Sequence, residues 1–302
     1  MNYKQILSFI KIEHTLFSLP FILIGYIIAH NQFSDVISAD SIINIDLLWI
    51  LVAAIGARGL AMTLNRIIDR DIDAANPRTA SRHLASGMMS MNTAWSLAGV
   101  FLVMLLIGAG MLNEVALKMS WLPVLVFVIY PYTKRFTWLC HLWLGLCLGL
   151  APAGAWLAIA GDVHGWDAIL GTEGFGTGIL WHPTILFLSL GVTFWITAFD
   201  INYARMDIDS DKENQIHSFP ARFGESITTQ MSLLLTFIWM LCFIISKPID
   251  ELYFIYGMAL VAILNGYIVL NKDKIKDFQT TLFRASIFTG WIILLPIILI
   301  ST

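Results

Sequence analysis

The composition of this 302-residue sequence is typical of a membrane protein and excludes a soluble globular one. Hydrophobic residues make up 58% of the chain and charged residues only 13%, whereas soluble domains carry about 25% charged residues. The formal net charge is −3, so the chain lacks the basic surface that a nucleic-acid partner requires. With a mean hydropathy of +0.75, the composition predicts an integral membrane protein whose surroundings are the lipid bilayer.

Nine apolar segments are long enough to cross a bilayer, which takes about 20 residues in a helix. In chain order they are 15–31, 47–64, 93–112, 119–132, 138–160, 181–200, 228–246, 251–270 and 281–300. The fourth segment is short, which leaves eight crossings as an alternative. The glycine-rich segment 161–180 carries no lysine or arginine and is interpreted as an external connection. The sequence therefore predicts an all-α polytopic membrane protein with about nine transmembrane helices in one domain, residues 1–302.

The lysines and arginines predict the orientation of these helices. All but three of the 18 lie in loops on one side of the predicted membrane; Lys118 and Lys247 lie on the other side and Arg58 lies inside the second span. Basic residues concentrate in cytoplasmic loops. The distribution predicts a cytoplasmic amino terminus and an odd number of crossings. The expected location is a bacterial inner membrane, with the acidic motifs on the cytoplasmic side. Glu13 and His14 precede the first span, where they either mark the interface or shape a pocket.

Two acidic motifs end the second and sixth spans at the predicted cytoplasmic surface. Each motif places a polar side chain every four residues: first Asn65, Asp69 and Asp73, then Tyr203, Asp207 and Asp211. Residues four apart share one face of a helix, and like charges at that spacing repel one another. Carboxylate and amide oxygens suit Mg²⁺, which in proteins usually binds one or two carboxylates together with substrate phosphate oxygens. The motifs therefore predict a Mg²⁺–diphosphate site.

The alternative interpretation of such acids is solvated charge at the membrane surface. It is preferred for Asp71 and Asp209, which lie off the shared faces. A single motif would favour it as well. The repetition of the same spacing at equivalent positions of two helices favours a site.

Five basic residues are candidate ligands for an anionic substrate. Four lie in the inner loops and are expected to bind a diphosphate: Arg78, Arg82, Lys134 and Arg135. The bias of basic residues toward cytoplasmic loops accounts for some of them. Arg58 is a stronger candidate, because a charge within a span costs at least ~2.5–3.5 kcal/mol and usually faces a functional cavity. It lies seven residues before Asn65, about 10 Å deeper on nearly the same helix face.

These motifs resemble the UbiA-type superfamily of intramembrane prenyltransferases. The hallmarks of that superfamily are an Asn/Asp-x3-Asp-x3-Asp motif and a second Asp-x3-Asp motif, which Asn65 to Asp73 and Asp207 to Asp211 match. The segments 77–87 and 130–135 also look like family segments, and Arg58 matches a family arginine. His83 departs from the proline often found there. The resemblance covers residues 10–300 and is strongest to the 4-hydroxybenzoate polyprenyltransferase branch.

The resemblance implies nine helices around a central cavity and a Mg²⁺-dependent reaction. A polyprenyl group would pass from an allylic polyprenyl diphosphate to an aromatic hydroxy-carboxylate acceptor, in ubiquinone or menaquinone biosynthesis. The implied ligands of the catalytic metal are Asn65, Asp69, Asp73, Asp207 and Asp211. The diphosphate would be bound by Arg78, Arg82, Lys134 and Arg135. Arg58 would pair with the acceptor carboxylate, and Asp200 or Tyr203 would orient the acceptor or remove its proton.

The acceptor and the class of protein each leave an alternative open. A 4-hydroxybenzoate and the dihydroxynaphthoate of the futalosine route to menaquinone both carry a phenol and a carboxylate, so Arg58 suits either. Intramembrane charges also mark ion pathways in transporters. A transporter would place them near the bilayer midplane, whereas the acidic residues here gather at one surface.

Overall fold

The computed structural model describes residues 3–11, 15–36, 42–171, 182–249 and 251–301, and within them the chain is helical with no β-strand. Glu13, His14 and residues 172–180 of the glycine-rich segment lie outside the described residues. The α-helices are α1 (Tyr3–Phe9), α2 (Thr15–Gln32), α3 (Ile45–Ile68), α4 (Arg70–Ala75), α5 (Met91–Leu112), α6 (Glu114–Met119), α7 (Trp121–Thr133), α8 (Cys140–His164), α9 (Asp167–Leu170), α10 (Pro183–Tyr203), α11 (Ile208–Glu213), α12 (Phe219–Ser246), α13 (Leu252–Leu270) and α14 (Phe278–Ser301).

In the described part of the chain, nine helical segments are long and apolar enough to cross a membrane, as the sequence predicts. They are Thr15–Gln32, Ile45–Ile68, Met91–Leu112, Glu114–Thr133, Cys140–His164, Pro183–Glu213, Phe219–Ser246, Leu252–Leu270 and Phe278–Ile300. The short fourth segment reaches the necessary length because α6 and α7 follow one another directly. Asn113 starts this segment, since its side-chain oxygen accepts a hydrogen bond from the Ala116 amide at 2.7 Å.

The buried apolar side chains form two main cores. The larger core joins α2, α8, α10, α12, α13 and α14, and the second joins α1, α3, α5 and α7. Leu148 of α8 packs against both. Within the second core the backbones of α3 and α5 touch: a Cβ added at Gly56 would lie 2.4 Å from the Leu105 nitrogen. Small residues permit such close contact, which helps to hold helices together in lipid.

Hydrogen bonds to backbone carbonyls bring several loops together at one end of the bundle. The His217 amide donates to the Lys134 carbonyl at 2.8 Å, which joins the loop after α11 to the loop after α7. Arg135 donates through Nη2 to the Ile68 carbonyl at 2.7 Å, and Arg66 donates through Nε to the Phe9 carbonyl at 2.8 Å. Both acidic motifs therefore lie at the same end of the helical bundle.

Candidate active site

The chain bends at the middle carboxylate of each acidic motif. Helix α3 ends just before Asp69, whose φ and ψ are −92° and 7°. A short 3₁₀ helix, Ala204–Asp207, follows α10, and Asp207 has φ −110° and ψ 6°. Both residues occupy the sparsely populated bridge region of backbone space, where many active-site residues lie. The expectation that each motif continues along one regular helix is therefore wrong, because a new short helix, α4 or α11, starts after each bend.

Asp69 is the most enclosed carboxylate of the first motif, with a side chain only 1% exposed. Its Oδ2 accepts hydrogen bonds from Asn65 Nδ2 at 2.8 Å and from Lys134 Nζ at 2.5 Å. Arg135 Nη2 lies 3.6 Å from Oδ1, which accepts no hydrogen bond from any described residue. Burial raises the pKa of the Asp69 carboxyl above its ordinary value, although the charges of Lys134 and Arg135 lower it.

Asp73 is held by the loop that follows it. Arg82 donates through Nη1 to Asp73 Oδ1 at 2.7 Å, and the Thr79 hydroxyl donates to the Asp73 carbonyl at 2.9 Å. The Asp73 side chain is 6% exposed. The loop thereby places Arg82 directly beside the first motif.

Arg78 connects the first motif's loop to the second motif. It donates to both Asp207 oxygens, from Nε to Oδ1 at 2.8 Å and from Nη2 to Oδ2 at 2.5 Å. Asn76 Nδ2 donates to the same Oδ1 at 2.8 Å. The Arg78 guanidinium also lies 5.3 Å from the centre of the Tyr203 ring. Burial disfavours the charged guanidinium, but the bond to Asp207 and its charge outweigh this, so the pKa of Arg78 is raised.

The loop after α7 supplies a cation close to both motifs. Lys134, which bonds Asp69, is also within electrostatic range of the half-buried Asp211. Asp71 and Asp209 are exposed, as expected for solvated charges. The structure thus brings together all four predicted diphosphate-binding cations and pairs each with a motif carboxylate.

Metal ligation stays a prediction. Among the residues that the structure describes, no three His, Cys, Asp or Glu side chains converge closely enough to hold a metal ion. Asp69, Asp73 and Asp207 are paired with arginine or lysine instead. The donor set nevertheless fits a hard divalent cation, since it consists of carboxylate and amide oxygens and includes Asp69 Oδ1, a buried acceptor without a hydrogen bond.

The remaining predicted residues lie deeper in the bundle or at its edge. Arg58 is half-buried in α3, two turns before Asn65. Asp200 of α10 contacts His141 of α8, with 2.7 Å between Oδ2 and Nδ1. The Tyr203 hydroxyl accepts a hydrogen bond from Gln279 Nε2.

Three residues of the site were not predicted from the sequence: Asn76, His141 and Gln279. Asn76 lies three residues after Asp73, in the loop whose arginines were singled out, but an asparagine before a proline usually indicates only a turn. A histidine within a membrane span is a usable signal, because ionisable residues there are rare and usually functional. Gln279 carries no such signal.

A helical membrane protein with two acidic motifs and four cations at one end is built to handle an anionic substrate at the membrane surface. The chain belongs to the UbiA prenyltransferase family, whose model matches residues 18–287, and it is a prenyltransferase. It is 28% identical over 246 residues to a 4-hydroxybenzoate octaprenyltransferase of Shewanella piezotolerans, covering 80% of this chain and 77% of that protein.

Solved structures agree with this assignment. A UbiA homologue from Aeropyrum pernix, in its apo form, matches with a TM-score of 0.77 and 27% identity, covering 96% of this chain and 98% of that one. A UbiA homologue from Archaeoglobus fulgidus, bound to GPP and Mg²⁺, matches with a TM-score of 0.59, covering 96% of this chain and 99% of that one. At 15% identity the second match shows the fold alone.

Proposed function

We propose that this prenyltransferase transfers a polyprenyl group from an allylic polyprenyl diphosphate to 4-hydroxybenzoate, in a Mg²⁺-dependent reaction of quinone biosynthesis. The observation that carries the proposal is the interlocked cluster of motif carboxylates and basic side chains. Arg78 and Lys134 come from different loops and bind Asp207 and Asp69. The choice of acceptor is supported by the relative from Shewanella piezotolerans, a 4-hydroxybenzoate octaprenyltransferase.

The residues that would hold Mg²⁺ are the oxygen donors of the two motifs: Asn65, Asp69, Asp73, Asp207 and Asp211. Support comes from the Asp69 oxygen that accepts no hydrogen bond from a described residue, and from the Archaeoglobus homologue bound to GPP and Mg²⁺. When bound, Mg²⁺ neutralises the diphosphate and draws electron density toward the leaving oxygen.

The basic residues of the site stabilise the departing diphosphate. Arg78, Arg82, Lys134 and Arg135 are held in place by the motif carboxylates, and their remaining N–H groups are suited to phosphate oxygens. Hydrogen-bond donors that are already in place where negative charge develops in the transition state usually make the largest contribution to the rate. The allylic carbon–oxygen bond breaks with its electron pair going to the diphosphate, and the apolar interior keeps water away from the cationic prenyl group.

The acceptor lies deeper than the diphosphate, toward Arg58. Seven residues of helix separate Arg58 from Asn65, a distance of about 10 Å, which leaves room for an aromatic ring between the acceptor carboxylate and the reacting carbon. Arg58 suits the carboxylate of a dihydroxynaphthoate equally well, so the experiment must distinguish the two acceptors. The distribution of basic residues supports a site on the cytoplasmic side of the membrane.

The test is prenyl transfer in membranes that contain the protein. Labelled polyprenyl diphosphate is supplied with 4-hydroxybenzoate or with dihydroxynaphthoate, each in Mg²⁺ and in EDTA. We expect Mg²⁺-dependent product with 4-hydroxybenzoate. Product with dihydroxynaphthoate alone would overturn the choice of acceptor, and transfer that persists in EDTA would overturn the role of the metal.

Matched aspartate variants test the site itself. Asp69→Asn and Asp207→Asn should abolish turnover while the protein still accumulates in membranes, because each removes a buried carboxylate of a motif. The neighbouring exposed acids provide the controls, and Asp71→Asn and Asp209→Asn should keep near-normal turnover. Equal activity in both pairs would contradict the assignment.

A further inference from the structure

His141 is a buried polar residue within a membrane span that the proposed reaction does not yet use. Its side chain is 6% exposed and lies where α8, α10 and the start of α12 meet. Its Nδ1 is 2.7 Å from Asp200 Oδ2, and its Nε2 accepts a hydrogen bond from the Phe219 backbone amide at 3.0 Å. Both ring nitrogens are therefore engaged, and each contact joins α8 to a different part of the chain.

The Phe219 contact fixes the protonation of the His141 ring. A backbone amide can only donate, so Nε2 must present its lone pair and cannot carry a proton. The single ring proton then lies on Nδ1 and is donated to Asp200. A hydrogen bond donated to a carboxylate favours its ionised form. The geometry thus describes a neutral imidazole whose Nδ1–H is donated to Asp200 Oδ2.

The second oxygen of Asp200 is available for chemistry. No hydrogen bond from a described residue to Oδ1 is found, and the Asp200 side chain is 21% exposed, more than that of His141. Tyr130 of α7 lies within electrostatic range of both Asp200 and Asp69, so Asp200 lies toward the first motif. It also precedes Asp207 by seven residues, about two helical turns deeper. Oδ2 is bound to His141, and Oδ1 belongs to a side chain that lies deeper than Asp207, on the side where we propose that the acceptor binds.

We propose that His141 is a positioning residue that holds Asp200 ionised and oriented to take the proton lost by the acceptor ring. The inference rests on the proposed function. The ring carbon supplies the electron pair of the new carbon–carbon bond while the allylic carbon–oxygen pair leaves on the diphosphate. The carbon–hydrogen pair then returns to the ring, and the proton passes to Asp200 Oδ1 and later to water. His141 itself gains and loses no proton.

The first experiment compares two replacements of His141 in membranes with 4-hydroxybenzoate. His141→Phe keeps a ring but donates no hydrogen bond, so kcat should fall by about tenfold or more. Removal of a general base usually costs about 100-fold or more, and here the base itself is retained. The KM of the prenyl diphosphate should not change. His141→Asn can donate from a position close to that of Nδ1 and should restore most of kcat. Equal loss in the two variants would overturn the positioning role.

An isotope effect separates positioning from simple packing. With ring-deuterated 4-hydroxybenzoate, His141→Phe should show a larger kinetic isotope effect on kcat than the wild type, because proton removal becomes slower. Asp200→Asn should show the same increase, and adding His141→Phe to it should cost nothing further. A structural role for His141 would multiply the losses and leave the isotope effect unchanged, and that result would overturn the inference.

Two failures are distinguishable. A wild-type protein that does not prenylate 4-hydroxybenzoate contradicts the proposed function. A wild-type protein that is active, with kcat and isotope effect unaltered in His141→Phe, contradicts only the inference. If His141→Phe does not accumulate in membranes, Asp200→Asn decides the matter, because an unchanged isotope effect there refutes proton transfer to Asp200.

Discussion

Replacing Lys134 with methionine should destabilise the protein, because the substitution removes the main counter-charge of a deeply buried carboxylate. Lys134 Nζ lies 2.5 Å from Asp69 Oδ2, and the Asp69 side chain is 1% exposed. Removing one partner of a buried ion pair lowers the free energy of unfolding by about 3–5 kcal/mol, because the other charge is left buried without a partner. Lys134 is itself 22% exposed and Asn65 and Arg135 still face Asp69, so we expect a loss of about 2 kcal/mol in the free energy of unfolding.

The size of this loss should depend on pH. Burial already raises the pKa of Asp69, and the loss of Lys134 raises it further. A carboxyl whose pKa is higher in the folded state than in the unfolded state binds more protons when folded, so the free energy of unfolding falls as pH rises. The variant should therefore approach wild-type stability at low pH, where Asp69 is protonated. The full loss should appear above the raised folded-state pKa.

Thermal unfolding of the purified protein in detergent at pH 5 and pH 8 measures this difference. A loss of about 2 kcal/mol corresponds to a fall of about 4 °C in Tm for a chain of this size. Lys118→Met is the matched control, because Lys118 pairs with the exposed Glu114 and surface pairs add little to stability. A Tm loss for Lys134→Met that is independent of pH, or equal to that of Lys118→Met, would refute the reasoning.

Three further substitutions, one of them with a matched control, test other parts of the structure. Arg58→Ala should raise the KM of the aromatic acceptor with little effect on prenyl diphosphate binding; steady-state kinetics would contradict this if only diphosphate binding changed. Arg78→Lys keeps the charge but cannot bond both Asp207 oxygens, so turnover should fall about tenfold while the protein stays folded. Gly56→Ala should lower Tm, because its Cβ would meet the backbone of α5, whereas Gly99→Ala, with nothing within 4 Å, should not.

The helices and the position of the site follow from local sequence properties. Length and hydropathy predict nine crossings, and charge distribution together with motif spacing predicts that Asp69 and Asp207 lie at the same surface. Each of these properties is read within one segment, and a bilayer admits few alternatives to a helix. The breaks at Asp69 and Asp207 were not predictable in this way, because the bent backbone accompanies contacts with Lys134 and Arg78, which lie far away in the sequence.

The pairing of His141 with Asp200 shows the same limit more clearly. The two residues are 59 positions apart on different helices, and nothing in their local sequences links them. The distance depends on how α8 packs against α10, and the sequences of two helices that are apolar on all sides do not specify which faces meet. Sequence spacing therefore indicates which residue types are present at a site, while tertiary packing decides which of them touch.

The balance of charge in the cluster limits how substrate can enter. The motif carboxylates Asp69, Asp73 and Asp207 each pair with at least one of four cations, and Asp211 lies near Lys134. A diphosphate alone would add negative charge beside buried carboxylates, and a divalent cation alone would add positive charge beside Arg78 and Lys134. Both additions are costly in a poorly solvated site. Entry of the two together would preserve the balance, because the motif carboxylates would hold the metal while the remaining N–H groups of Arg78 and Lys134 would bind the phosphate oxygens.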